Sequence, residues 1–149
     1  MAEALDKAKV DYAIVGGFAV ALHGAARGTF DVDIILKLTK SDFIAAEKVF
    51  SSMGLQCKLP VKADQIFDFR EEYIKNKNLI AWSFYNPKDL SEVVNVIITH
   101  DLKKMKTKKI TWGKVTLKVL AIESLIAMKK MSGRPQDLED IKALEELKK

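Results

Sequence analysis

Val15-Gly16-Gly17, thirteen intervening residues, then Asp31-Val32-Asp33-Ile34: the reading of this stretch decides the fold. Tyr12-Ala13-Ile14-Val15 is a short apolar run rich in strand formers, and it stops at two glycines. From Phe18 to Ala26 the residues are small, apolar and helix-compatible, so a strand turns straight into a helix. Such a turn leaves backbone N–H groups free at the helix start, and glycine lets a phosphate come close to them. Arg27-Gly28-Thr29 then breaks the helix, and Phe30 to Leu38 reads as a second strand rich in Ile and Val. Asp31 and Asp33 are two apart on that strand, so both side chains project from one face. Neighbouring carboxylates repel each other, and burying the pair is costly without a cation. Mg²⁺ prefers oxygen ligands and is commonly held by one or two carboxylates plus substrate phosphates. A phosphate cradle facing such a dyad is what phosphoryl or nucleotidyl transfer needs. Taken singly, Gly-Gly is also an ordinary tight turn and Asp-x-Asp also a solvated edge device. Here, however, the two carboxylates interrupt an apolar run, Val32, Ile34, Ile35 and Leu36, that reads as buried. The combination favours chemistry.

Outward from this stretch the chain keeps alternating. Residues 1–10 read as a short helix. Ser41 is the expected N-cap of a helix to Met53, closed by Gly54, and Leu55 to Leu59 as a short strand. Residues 63–76 fit a helix that places Ile66, Phe69 and Tyr73 on one side, with Asp64 as its cap. Leu79 to Tyr85 and Glu92 to Thr99 read as strands separated by the turn-prone Asn86-Pro87. Ile110-Thr111-Trp112, Gly113 and Val115 to Leu120 make a hairpin. Two helices follow, near 121–132 and 135–147, with Pro135 at a first helical position and Asp137, Glu139 and Asp140 at the positive end. The sum predicts an α+β fold: a mixed sheet of about five strands flanked by helices, with a C-terminal helix pair.

The 149 residues suit one domain, taken as 1–149. No apolar run reaches the ~18 residues of a membrane span, and the start lacks the layout of a secretory signal. A lone cysteine, Cys57, excludes an internal disulfide framework and a multi-cysteine zinc site, and the expected address is cytoplasmic. The net charge of +5 is unevenly placed. Residues 1–100 hold 12 basic and 13 acidic side chains, whereas residues 101–149 hold 13 and 7. The run Lys103-Lys104-Met105-Lys106-Thr107-Lys108-Lys109 leads that excess, either as a solvated loop or as an attractor of nucleic acid or nucleotide phosphates.

With these residues in place, the sequence Val15-Gly16-Gly17-x13-Asp31-Val32-Asp33-Ile34 resembles the motif of the DNA polymerase β-like nucleotidyltransferase superfamily. The closer likeness is to small bacterial AbiEii-type members, found among toxin–antitoxin and phage-defence proteins. Leu125-Ile126-Ala127-Met128-Lys129 and Ser132-Gly133-Arg134-Pro135-Gln136-Asp137-Leu138-Glu139-Asp140-Ile141 resemble that group's C-terminal helix pair. The resemblance implies a nucleotidyltransferase fold and transfer of a nucleoside monophosphate from an NTP with Mg²⁺ (or Mn²⁺). It leaves the acceptor open, tRNA and protein among the candidates, and suggests an antitoxin-type protein partner. Gly16 and Gly17 match the phosphate-binding turn, and Asp31 and Asp33 the metal pair. The family expects a third carboxylate on a later strand, where Val93-Val94-Asn95-Val96-Ile97 places Asn95. Asn95 can ligate a metal through its carbonyl oxygen but is no general base at neutral pH. This departure supports a second expectation, a degenerate relative that binds a nucleotide or a protein partner without turnover. A third is a basic nucleic-acid-binding module.

Lys129 follows Ile122 by seven positions and falls on the apolar side of its helix. It reads either as a cation for nucleotide phosphates beside the dyad, where the family resemblance also places a lysine, or as a snorkelling side chain. Arg134 and Asp137 either continue this site or serve capping and dipole roles. Arg27 and Thr29 either contact the triphosphate or are plain loop residues. His23, Cys57, Trp82 and Trp112 read as packing residues, and His100 lacks a second histidine for zinc.

Overall fold

The computed structural model describes residues 1–24 and 31–148. Arg27 and Thr29, with the expected end of the first site helix and the start of its strand, lie outside the described residues. Seven strands form one sheet: β1 (Tyr12–Val15), β2 (Asp31–Leu36), β3 (Gln56–Cys57), β4 (Ala81–Asn86), β5 (Asp89–Ile97), β6 (Thr107–Trp112) and β7 (Val115–Leu120). Their order is β3-β4-β5-β2-β1-β7-β6. β1 runs antiparallel to β2, while β2–β5 and β1–β7 are parallel. The sheet is therefore mixed, as expected, but has seven strands instead of about five. The difference has a physical source. The two-residue β3 and the β6–β7 hairpin join through long-range pairings, the hairpin by Ile14 opposite Val119, which local hydrophobic pattern does not encode.

Helices α1 (Ala2–Lys7), α2 (Gly16–Leu22), α3 (Lys40–Ser52), α4 (Ala63–Asp68), α5 (Arg70–Lys77), α6 (Ile122–Ser132) and α7 (Pro135–Lys148) flank it. Strand alternation gives the sheet two unlike faces. On one, Trp82 and Phe84 of β4 lie opposite Val96 and Val94 of β5, all buried. α3 covers this face: Phe43 stacks on Trp82 at 5.7 Å, and Phe50 meets Phe84 at 4.8 Å. On the other face a single row crosses four strands as Ser83, Asn95, Asp33 and Val15. That row carries the chemistry.

Several local expectations shift. Thr39, not Ser41, caps α3: its hydroxyl accepts from the Asp42 N–H at 3.2 Å. The helix expected over 63–76 is two helices that break at Phe69, and the N-cap of α4 is Lys62, not Asp64. The lysine run is no simple loop. Leu102–Lys104 forms a 3₁₀ turn, and Thr107, Lys108 and Lys109 open β6 at the edge of the sheet. Trp82 is core, whereas Trp112 is 60% exposed and meets Phe18 edge-on at 5.3 Å. No described helix is long and apolar enough to cross a membrane.

Candidate active site

Asp33 sits where three strands meet. It faces Val15 across β1 and Asn95 across β5, and α2 begins one residue after Val15. The backbone of Gly16 has φ +70°, a conformation that side-chain-bearing residues resist. A Cβ there would fall well under 3.0 Å from Asp33 Oδ2. The Asp33 carboxylate, and not an approaching phosphate, is thus what first requires glycine here. α2 has only seven residues and no side-chain cap at Val15, so a phosphate role for Gly16 and Gly17 rests on the N–H groups of its first turn more than on a long helix's dipole.

Asp31 is exposed at the strand's start, while Asp33 is partly buried. Burial pushes the Asp33 carboxyl above its ordinary value, and the Asp31 charge adds to the rise. The Asn95 hydrogen bond opposes it, with smaller help from the Lys129 and Arg134 charges. Asn95 stands directly opposite Asp33, the position the family resemblance gives to a third acid. Its amide nitrogen donates to Asp33 Oδ1 at 2.8 Å, and its oxygen accepts from the Ser83 hydroxyl at 2.6 Å.

α6 and α7 close the site from above. Gly16, Asp33, Thr99, His100, Lys129, Arg134 and Asp137 all line one cavity of about 110 Å³. Lys129 points inward and is 7% exposed, but it is not free to serve a ligand alone. Its ammonium donates to Asp140 Oδ2 at 2.9 Å and lies 3.6 Å from Asp137 Oδ1. Both carboxylates are buried, at 3% and 1% exposure. Arg134 Nε donates to Asp137 Oδ2 at 2.9 Å, while most of its side chain, 75%, is exposed. Burial would raise Asp137, but the Arg134 hydrogen bonds and charge outweigh it and hold the carboxyl below its usual range. The formal charges of Lys129, Arg134, Asp137 and Asp140 cancel.

Sequence reasoning missed Ser83 and gave Asp140 only a dipole role. Ser83 is the polar interruption between Trp82 and Phe84, and Asp140 lies one turn beyond Asp137 on the same helix side. His100 and Thr99 also enter the cavity, joined by a 2.8 Å hydrogen bond. His23 Nε2 donates to the Leu120 carbonyl, 2.8 Å away, as a packing residue would. A broader groove of about 590 Å³ beside Phe69, Arg70 and Glu71 holds none of these side chains.

The donor set fits a divalent cation in a limited way. Asp31 and Asp33 share a face, and the raised Asp33 carboxyl marks a site where added positive charge is favourable. Asn95 turns its N–H toward Asp33, so its oxygen is not offered as a ligand. Among the described residues no group of three or more His, Cys, Asp or Glu is arranged to hold a metal. Two carboxylates plus substrate phosphates and water remain a familiar Mg²⁺ environment.

The whole chain, residues 1–149, matches the family model described as "Nucleotidyl transferase of unknown function (DUF2204)". No curated protein matches it. Solved structures share its fold at low identity, among them the following three. An antigenic nucleotidyltransferase-like protein from Paracoccidioides brasiliensis is 19% identical with a TM-score of 0.60, over 96% of this chain and 71% of that one. The lincosamide antibiotic adenylyltransferase LnuA, lincomycin-bound, is 12% identical at 0.63, over 97% and 92%. The antibiotic-resistance factor ANT(2'')-Ia is 9% identical at 0.64, over 95% and 77%.

Proposed function

The chain belongs to this nucleotidyl transferase family, and we propose that it transfers a nucleoside monophosphate from an NTP to a hydroxyl-bearing acceptor with Mg²⁺ or Mn²⁺. One observation carries the reading: Asp31 and Asp33 share a face of β2, with Asp33 pressed against Gly16 and pushed toward neutrality by burial and by its neighbour. Such a pair is unfavourable alone and favourable around a cation. Asp31 and Asp33 would hold the ion, which when bound neutralises triphosphate charge. The N–H groups of the Gly16-Gly17 turn receive phosphate oxygens. Arg134, largely exposed at the mouth of the cavity, supplies a further cation. Lys129, held by Asp137 and Asp140 in a cluster with no net formal charge, keeps α6 and α7 over the site. The acceptor oxygen bonds the α-phosphorus as the bridging bond to the β-phosphate breaks and pyrophosphate leaves, and the hydroxyl proton passes to water because Asn95 cannot take it.

Asn95 supports the second reading, a relative that binds a nucleotide or protein without turnover, because an amide takes no proton from an acceptor hydroxyl. The C-terminal likeness to AbiEii-type members extends the proposal to a toxin–antitoxin setting in the cytoplasm, with an antitoxin-type protein as partner. The lysines of 103–109 suit an anionic acceptor such as tRNA.

The deciding experiment incubates each α-labelled NTP with tRNA, protein and hydroxylated antibiotics; the last are included because solved relatives act on or bind such drugs. Label transfer that chelation stops, and that Asp33→Asn reduces by about 100-fold or more, is the expected result. NTP binding without transfer by wild type supports the second reading. Absence of both NTP binding and transfer defeats the first reading and the nucleotide-binding form of the second.

A further inference from the structure

Ser83, Asn95 and Asp33 are joined in one row by two hydrogen bonds. The amide nitrogen of Asn95 is the end that meets Asp33, donating to Oδ1 at 2.8 Å. The amide oxygen is thereby turned away, onto the Ser83 hydroxyl at 2.6 Å. Position 95 presents an N–H, the positive end of the amide dipole, toward Asp33. The other oxygen of Asp33 lies over Gly16. Two-cation transfer sites place their ions roughly 3.5–4 Å apart and share oxygen ligands between them. Between Asp33 and Asn95 the amide oxygen is turned onto Ser83, so position 95 offers an N–H and no oxygen ligand on the Asp33 side.

We propose that Asn95 is a positioning residue that restricts this site to a single divalent cation, held by Asp31 and Asp33. Ser83 keeps the amide in that orientation by occupying its oxygen. The inference rests on the reading that Asp31 and Asp33 bind a cation, and it adds how many ions the site takes and which side chain sets that number.

The test counts Mn²⁺ on the full chain with a saturating α,β-methylene NTP, reading free Mn²⁺ by electron paramagnetic resonance against a nucleotide-only control. Wild type should take one Mn²⁺ per chain, and Asn95→Asp should double the count to two. Two ions on wild type would overturn the inference and leave the cation reading standing. None on wild type would overturn that underlying reading as well. One on both proteins would remove the role assigned to Asn95. Circular dichroism checks that the variant folds; if it does not, the wild-type count still decides between one ion and two.

Discussion

At Gly16 two constraints coincide in one residue: a left-handed backbone and a carboxylate occupying the space of a side chain. For an L-residue the backbone alone costs about 1–2 kcal/mol, and the collision with Asp33 adds to it. Gly16→Ala is therefore expected to lose about 2 kcal/mol or more of stability and to weaken Mn²⁺ binding, measured by urea unfolding and by the free-ion signal. A stable variant with unchanged Mn²⁺ affinity would show that Asp33 does not depend on this contact. The importance of Gly16 was legible in the sequence, but its reason was not. A strand ending in Gly-Gly announces close approach, yet only the antiparallel pairing of Val15 with Asp33 says what approaches. Asn95 divides in the same way. Its place opposite the dyad could be read from the apolar strand around it, whereas the direction of its amide depends on Ser83, brought opposite it by the pairing of β4 with β5.

At the scale of elements, α6 and α7 are joined by buried charge more than by an apolar stripe alone. Helical spacing puts Lys129 inward, and α6 ends at Gly133, whose φ of +64° lets the chain reverse. α7 then returns Asp137 and Asp140 to the ammonium. Removing one member of such a group leaves uncompensated charge in a poorly solvated place. Lys129→Met should cost about 3 kcal/mol in urea unfolding, the lower end of the range because Arg134 still serves Asp137 and Gln136 still serves Asp140. A loss under about 1 kcal/mol, the scale of a surface pair, would mean the ammonium is hydrated. The inward turn of Lys129 followed from 3.6-residue periodicity. Its carboxylate partners did not, because contacts between helices are set by packing, not by either helix alone.

For the whole molecule, the charge partition of 12 basic and 13 acidic side chains before residue 101, and 13 and 7 after it, acquires a geometry. The dyad lies in the balanced part, and the basic part contributes Lys129, Arg134 and the edge strand β6. The sheet has two edges. β3 is only two residues long, and β6 exposes Lys108 and Lys109, both ways of blunting an edge against pairing with another chain. Lys108→Val with Lys109→Val should raise the apparent mass in light scattering by favouring edge-to-edge pairing; an unchanged mass would assign those lysines elsewhere, the anionic acceptor foremost. The sequence by itself determined the α+β class, the strand–Gly-Gly–helix unit, the paired aspartates and the anomalous asparagine, because these depend on local periodicity and residue chemistry. Tertiary structure alone decided that seven strands form one sheet, that Gly16 makes room for Asp33, that Asn95 donates to it, and that Lys129 is shared by two buried carboxylates. Those facts depend on pairings between residues up to 100 or so positions apart, where a one-residue change of register exchanges one face of a strand for the other.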